Sequence, residues 1–206
     1  MKEMDLQQLL NELSSESAAP GGGSVAGLAG ALSAAMVSMV CKLTIGKKKY
    51  QDSEDDMKKC LENVTKMKEE FLLLADRDAE VFNDVMEAYR LPHGTEEEKA
   101  ERSNAVEEAT KRAALVPMDV LRRCETLAGL TRSVALKGNE NSISDAGVAA
   151  VMAQAAAKAA CLNILINLST ISDEDFKGKL KTEQENVFKT VRDITEEALQ
   201  IVKQKI

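Results

Sequence analysis

From Val25 to Ile45 the chain reads Val-Ala-Gly-Leu-Ala-Gly-Ala-Leu-Ser-Ala-Ala-Met-Val-Ser-Met-Val-Cys-Lys-Leu-Thr-Ile, with Lys42 as its single charge. Wound as a helix, this segment is apolar or small nearly all round and has no face to offer to water. Its length matches a membrane span. Its Gly, Ala and Ser content, the charge of Lys42 and its isolation in the chain favour a helix buried in a core or a subunit interface. Small residues there let neighbouring backbones approach closely.

The rest of the chain divides at clear punctuation. A short amphipathic piece covers roughly residues 3–17, with Leu6, Leu9, Leu10 and Leu13 on one side. Pro20-Gly21-Gly22-Gly23 follows, and Ser24 is a good N-cap for the apolar helix. After Gly46-Lys47-Lys48-Lys49-Tyr50, a helical pattern runs from about Asp52 to Arg90 and stops at Leu91-Pro92-His93-Gly94. Thr95-Glu96-Glu97-Glu98 is a capping-box pattern opening a helix to about Val116. Pro117 suits the first turn of a further helix ending near Gly138-Asn139. Ser144-Asp145 opens an Ala-rich helix to about Ser169, and Ser172-Asp173-Glu174-Asp175 starts the last one. With so little β-branched alternation, the expectation is an all-α, long-helix bundle of about six or seven helices forming one domain over 1–206. A helix apolar on all sides predicts completion by homodimerisation.

Composition removes several function classes. A formal charge of −7 and 3% aromatic residues argue against a nucleic-acid binder or an anionic-membrane protein. Cys41, Cys60, Cys124 and Cys161 form no CxxC pair and read as buried free thiols. The lone histidine, His93, sits in a turn, and no HExxH occurs, so neither a serine triad nor a zinc site is expected. The first fifteen residues lack an apolar export core, and the default location is cytoplasmic.

Chemistry concentrates in five places. At about 100° per residue, Phe71, Ala75, Phe82, Val85 and Tyr89 fall within about 60° of Asp78. Asp76, Glu69, Glu80 and Glu87 fall on the opposite, solvated side. A carboxyl inside an apolar stripe has its pKa raised and becomes able to exchange protons near neutrality; the competing reading is a buried Asp satisfied by a cation or a helix N-terminus. Gly21, Gly22 and Gly23 allow close backbone approach to a ligand at a helix start, or are simply a turn. Asn139 and Asp145 in the polar 138–145 connection are candidate amide and carboxylate partners for a heterocycle, or by default turn and cap residues. Asn163 and Asn167, one turn apart on a mostly apolar helix, need partners either across an interface or from a ligand. Lys47, Lys48 and Lys49 form a basic cluster that could meet an anionic tail, or a solvated loop.

Ser17-Ala18-Ala19-Pro20-Gly21-Gly22-Gly23-Ser24-Val25-Ala26 resembles the opening signature of the formiminotetrahydrofolate cyclodeaminase/methenyltetrahydrofolate cyclohydrolase family. Asp76-Arg77-Asp78-Ala79-Glu80-Val81-Phe82, Leu91-Pro92 through Glu96-Glu97-Glu98-Lys99, Val116-Pro117, Gly138-Asn139 with Ser144-Asp145, and Asn163 through Leu168 match in the family's order. The resemblance implies an all-α homodimer acting on a tetrahydrofolate derivative, with or without a polyglutamate tail, in a cleft near the dimer contact. It implies an essential aspartate in the 76–82 stretch, and the face argument selects Asp78 over Asp76. In this reading Pro20 to Ser24, Asn139, Asp145 and Asn163 bind the substrate, Lys47 to Lys49 meet its glutamate tail, and no metal or further cofactor takes part. No formiminotransferase segment is attached, so a stand-alone form is expected. The motifs are shared by cyclodeaminase and cyclohydrolase. The resemblance is taken to imply a formiminotetrahydrofolate cyclodeaminase giving 5,10-methenyltetrahydrofolate and ammonia, with a methenyltetrahydrofolate cyclohydrolase giving 10-formyltetrahydrofolate as the alternative. A non-catalytic folate-binding or scaffold dimer is the reading from another class.

Overall fold

The computed structural model describes residues 4–206, and the first part of the amphipathic piece expected from residue 3 lies outside them. Six α-helices account for nearly all of the described chain, with no strand: α1 (Leu6–Leu13), α2 (Gly22–Thr44), α3 (Glu54–Tyr89), α4 (Glu96–Lys137), α5 (Ile143–Leu168) and α6 (Glu174–Lys205). Helix α2 packs against α3 and α5, while α4 runs behind and touches α2, α3, α5 and α6. The shared core is filled by small side chains from α5 (Ala146, Ala149, Ala153, Ala156, Ala160) and larger ones from α3 and α4 (Phe71, Met118, Leu121, Leu127). All four cysteines are free and buried.

Local signals form as expected at several ends. Thr95 and Glu98 make the reciprocal capping box at the start of α4. Asp173 caps α6 by accepting from the Phe176 amide. Two boundaries differ. Helix α2 begins at Gly22 with Gly21 as its cap, so Ser24 is the third helical residue and its hydroxyl is spent elsewhere. Helix α4 is a single rod of 42 residues with Pro117 inside it, where a boundary between two helices was expected. Proline removes one amide from the ladder and leaves the carbonyl four residues back, that of Ala113, without its backbone donor. The Asn167 side chain on α5 reaches that carbonyl, Nδ2 to O, at 3.3 Å. Packing on both sides and this substitute bond keep the rod continuous.

The α2–α3 contact is set by glycine. A Cβ on Gly27 would lie 2.9 Å from both the Phe71 carbonyl oxygen and the Ala75 Cβ, and one on Gly30 would lie 2.5 Å from the Phe71 ring. With Gly23 these residues fall at spacings of four and three along α2 and form one ridge against which α3 lies. The opposite side of α2 exposes Val25, Leu32, Met39 and Leu43, and the adjacent α5 exposes Val148, Val151, Leu162 and Ile166. Both Gly22–Thr44 and Glu140–Leu168 are long and apolar enough to cross a membrane by length and composition, so α2 is not isolated in that respect. Each of these segments is in part buried against other helices of the same bundle.

The ridge predicts an asymmetry between glycines. Gly27→Ala forces backbone apart and is expected to destabilise the fold by about 1–3 kcal/mol. Gly178→Ala on α6, where a Cβ meets nothing within 4 Å, is expected to stabilise by up to about 1 kcal/mol. Urea denaturation of the two variants beside the parent checks both signs.

Candidate active site

Where α2 starts, the chain has just made the turn through Ala18 and Ala19, and the middle of α3 crosses in front of it. Between them is a cavity of about 270 Å³, walled by Gly21, Gly22 and Gly23, by Asp78, Val81, Phe82 and Val85 of α3, by Ala113 of α4, and by Asn163, Ile166 and Asn167 of α5. Such a site has an apolar body with a few convergent polar groups.

Asp78 is its only carboxylate among the described residues. A Cβ on Gly23 would lie 2.0 Å from the Asp78 Oδ1, so the absence of a side chain there is what lets the carboxyl rest on the first turn of α2. Ser24 donates its hydroxyl to Asp78 Oδ2 at 3.1 Å. Burial raises the Asp78 pKa, and the Ser24 hydroxyl and backbone amide pull it down by a lesser amount, leaving it above the usual aspartate value. The carboxyl thus sits at the positive end of a helix yet is held toward its neutral form, because desolvation outweighs the two donors.

The two asparagines of α5 face Asp78 across the cavity. Asn163 donates Nδ2 to the Ala159 carbonyl at 2.9 Å, and Asn167 donates Nδ2 to the Asn163 carbonyl at 2.9 Å as well as to Ala113. Asn163 also touches Gly22, whose Cβ, if present, would lie 3.3 Å from Nδ2. Both Nδ2 hydrogens of Asn167 are committed to backbone and one of Asn163's is, so the two Oδ1 atoms are free to accept from a ligand and Asn163 keeps one N–H to donate.

The expected site residues separate into two groups. Gly21, Gly22, Gly23, Asp78 and Asn163 line this cavity, and Ser24 stands directly behind Asp78. Pro20 lines an adjoining cavity of about 560 Å³ with Ala18, Ala19, Asp76 and Glu80. Asp76 therefore lies on another side of α3 from Asp78, and it is half-buried where a solvated charge was expected. Tyr89, placed in the Asp78 stripe, is 43% exposed.

Asn139, Asp145 and Lys47 to Lys49 lie at the other end of the bundle. Lys47 follows the end of α2, whose Gly22–Thr44 span is about 33 Å at 1.5 Å per residue. Asp145 precedes Asn163 on α5 by about 27 Å on the same measure. Asn139 is buried as a staple: its amide donates to Thr44 Oγ1 at 2.9 Å, its Nδ2 donates to the Leu43 carbonyl at 2.9 Å, and its Oδ1 accepts from the Asn141 amide at 3.1 Å. Lys49 pairs with Glu140. Asn167, singled out beside Asn163 but given no substrate-binding role by the resemblance, and Ala113, not expected at all, join the cavity. The signal for Asn167 was its one-turn spacing from Asn163; that for Ala113 was Pro117 four residues on.

Comparison with known proteins gives a consistent picture. Residues 5–186 match the family model described as formiminotransferase-cyclodeaminase. The chain is 40% identical over 201 residues to a methenyltetrahydrofolate cyclohydrolase of Methylorubrum extorquens, covering 98% of this chain and 97% of that protein. It is 33% identical over 177 residues to the formimidoyltransferase-cyclodeaminase of Mus musculus, covering 86% of this chain but 33% of that longer protein. In three dimensions it matches the formiminotetrahydrofolate cyclodeaminase of Thermotoga maritima with a TM-score of 0.90 at 30% identity, covering 98% of each chain. A match across most of its length in sequence and nearly all of it in structure places the chain in the formiminotransferase-cyclodeaminase family.

Proposed function

We propose that this protein is a methenyltetrahydrofolate cyclohydrolase, acting in the cytoplasm on the one-carbon bridge between N5 and N10 of tetrahydrofolate. The observation that carries the chemistry is Asp78: a single carboxyl, held above its ordinary pKa by burial, in a cavity otherwise lined by apolar groups and amides. The choice of reaction is supported by the relative of equal length at 40% identity, which bears the cyclohydrolase name.

The bridge carbon of the substrate carries a delocalised positive charge, so a carboxylate near it is favourable in the bound state. Asp78 takes a proton from water as the water oxygen bonds to that carbon. The resulting tetrahedral centre collapses as Asp78 returns a proton to N5, the C–N5 bond breaks, and the hydroxyl proton leaves to solvent. The product is 10-formyltetrahydrofolate. No atom changes oxidation state, so proton transfer and positioning suffice. The second reading, cyclodeaminase, is supported by the name of the structural match. There N10 attacks the carbon of the protonated formimino group, Asp78 takes the proton from N10 and passes it to the former imine nitrogen, and that nitrogen departs as ammonia to leave the methenyl cation. The same proton-exchanging group serves both.

A homodimer belongs to the proposal. The exposed apolar rows of α2 and α5 support a second copy as their cover. Ile166, 66% exposed, belongs both to that surface and to the cavity wall. Leu32→Glu is expected to shift sedimentation from dimer toward monomer; a monomeric parent overturns this part.

The reaction is tested by following the methenyl chromophore with 5,10-methenyltetrahydrofolate in the absence of ammonia. Decay faster than the uncatalysed rate is expected; no acceleration, with turnover of 5-formiminotetrahydrofolate, selects the second reading. Asp78→Asn is expected to lower kcat by about 10²–10⁴. Because the folded-state pKa is raised, the ionised Asp78 costs stability increasingly as pH climbs from the unfolded value through the folded one. Melting of Asp78→Asn at pH 7 should therefore be no lower than the parent's, and the difference should shrink in acid. As Asp78 must be ionised to take the water proton, the acid limb of kcat/KM should lie above the ordinary aspartate range. Ser24→Ala, which removes a bond that lowers the pKa, should move that limb further up.

A further inference from the structure

Pro117 is the only proline inside a helix among the described residues, and it stands just behind the cavity wall. The carbonyl it leaves without a backbone donor belongs to Ala113, which lines the cavity, and the side chain that reaches this carbonyl is Asn167, which also lines it. The two hydrogens of Asn167 Nδ2 are then both assigned, one to Ala113 and one to the Asn163 carbonyl a turn back. That fixes the amide plane and leaves Oδ1 as the end that meets a ligand. Asn163 is held by one such bond, from its Nδ2 to the Ala159 carbonyl, which leaves its second N–H hydrogen beside its oxygen at the cavity. Among the described residues no donor is bonded to either Oδ1 atom, and both amides are only half-buried at the cavity.

We propose that Asn167 is a substrate-binding residue and Pro117 its positioning residue: by withholding an amide hydrogen from Ala113, Pro117 keeps that carbonyl available to hold Asn167 with its oxygen toward the ligand. The two Oδ1 atoms, one helical turn apart, form an acceptor edge that selects a heterocycle bearing N–H donors. On the folate reading above, on which this rests, those donors are the exocyclic amine and the ring N–H groups of the pterin. An amide that were free to turn would present an NH₂ group half of the time and lose that selection. Such a device has a specific weakness. Any residue other than proline at 117 brings back an N–H aimed at Ala113, and the backbone bond then competes with the side chain for the same oxygen.

The test is a double-mutant cycle on Pro117→Ala and Asn167→Ala, read as KM and kcat with 5,10-methenyltetrahydrofolate, or with 5-formiminotetrahydrofolate if that is the substrate turned over. Alanine is a far better helix former than proline, so Pro117→Ala is expected to fold with an undiminished melting temperature. Its KM is expected to rise roughly three- to tenfold, the worth of one oriented hydrogen bond, with kcat changed less. Asn167→Ala should raise KM at least as much. Adding Pro117→Ala to Asn167→Ala should change nothing more, since the proline acts only through that side chain. Asn167→Asp, which keeps the acceptor and loses the donor, should also make Pro117→Ala silent, and it stands in if Asn167→Ala misfolds. Effects that multiply in the double variant, or a Pro117→Ala enzyme with parental KM, overturn the inference while leaving the folate reading intact. A parent enzyme that turns over neither folate removes both.

Discussion

The close approach of α2 and α3 at Gly23, Gly27 and Gly30 is the contact on which the rest depends. It brings the α3 backbone closer to Gly27 than a Cβ allows and seats the Asp78 carboxyl and the Phe71 ring directly on Gly23 and Gly30, all within the first half of α2, where the cavity opens. The same ridge explains why α2 is so poor in large side chains on its buried face. Had Gly23 carried a side chain, Asp78 would be displaced from the first turn of α2 and from the Ser24 hydroxyl. Fold and chemistry thus share one steric condition: a helix thin enough to let a carboxyl from its neighbour lie on its amino end.

That placement sets two electrostatic effects against each other. The start of a helix favours an anion through its unpaired amides and dipole, and Ser24 adds a donor. Burial among Val81, Phe82 and Val85 disfavours the same anion, and burial is the larger effect. An aspartate under either influence alone would be a poor proton carrier at neutral pH. Left in water with donors it would stay ionised and be a feeble base; buried without them it would stay protonated. Held between the two, it is suited to taking up and giving back a proton within one turnover, which either reaction proposed above asks of it.

Much of this was legible in the chain because it is local. The capping box at Thr95, the break at Leu91-Pro92-His93-Gly94 and the position of Asp78 in its stripe all follow from residues within a few turns of one another. What failed to read correctly involves partners distant in sequence. Ser24 has the chemistry of an N-cap, but Asp78 claims its hydroxyl across 54 residues. Asn139 and Asp145 share a polar connection that looks suited to a ligand. The connection lies at the far end of the bundle from Asp78, where Asn139 is consumed in tying α4 to the end of α2. Spacing along a chain says which side chains share a face, and it says nothing of which end of a long helix meets a given pocket.

Pro117 shows the same limit in its sharpest form. Within its own neighbourhood the residue can only mean a helix boundary, since a proline in a helix interior costs about 3 kcal/mol when nothing compensates it. Here the compensation comes from Asn167, and neither residue makes sense alone: the asparagine needs an open carbonyl to orient it, and the carbonyl needs a donor to stay buried in a helix wall. The α4 rod therefore stays unbroken through a residue that should end it because α5 supplies the missing donor, and α5 holds a polar side chain in a mostly apolar stretch because α4 supplies the acceptor. Each apparent fault in one helix is the partner of a fault in the other, and the cavity lies where the two meet.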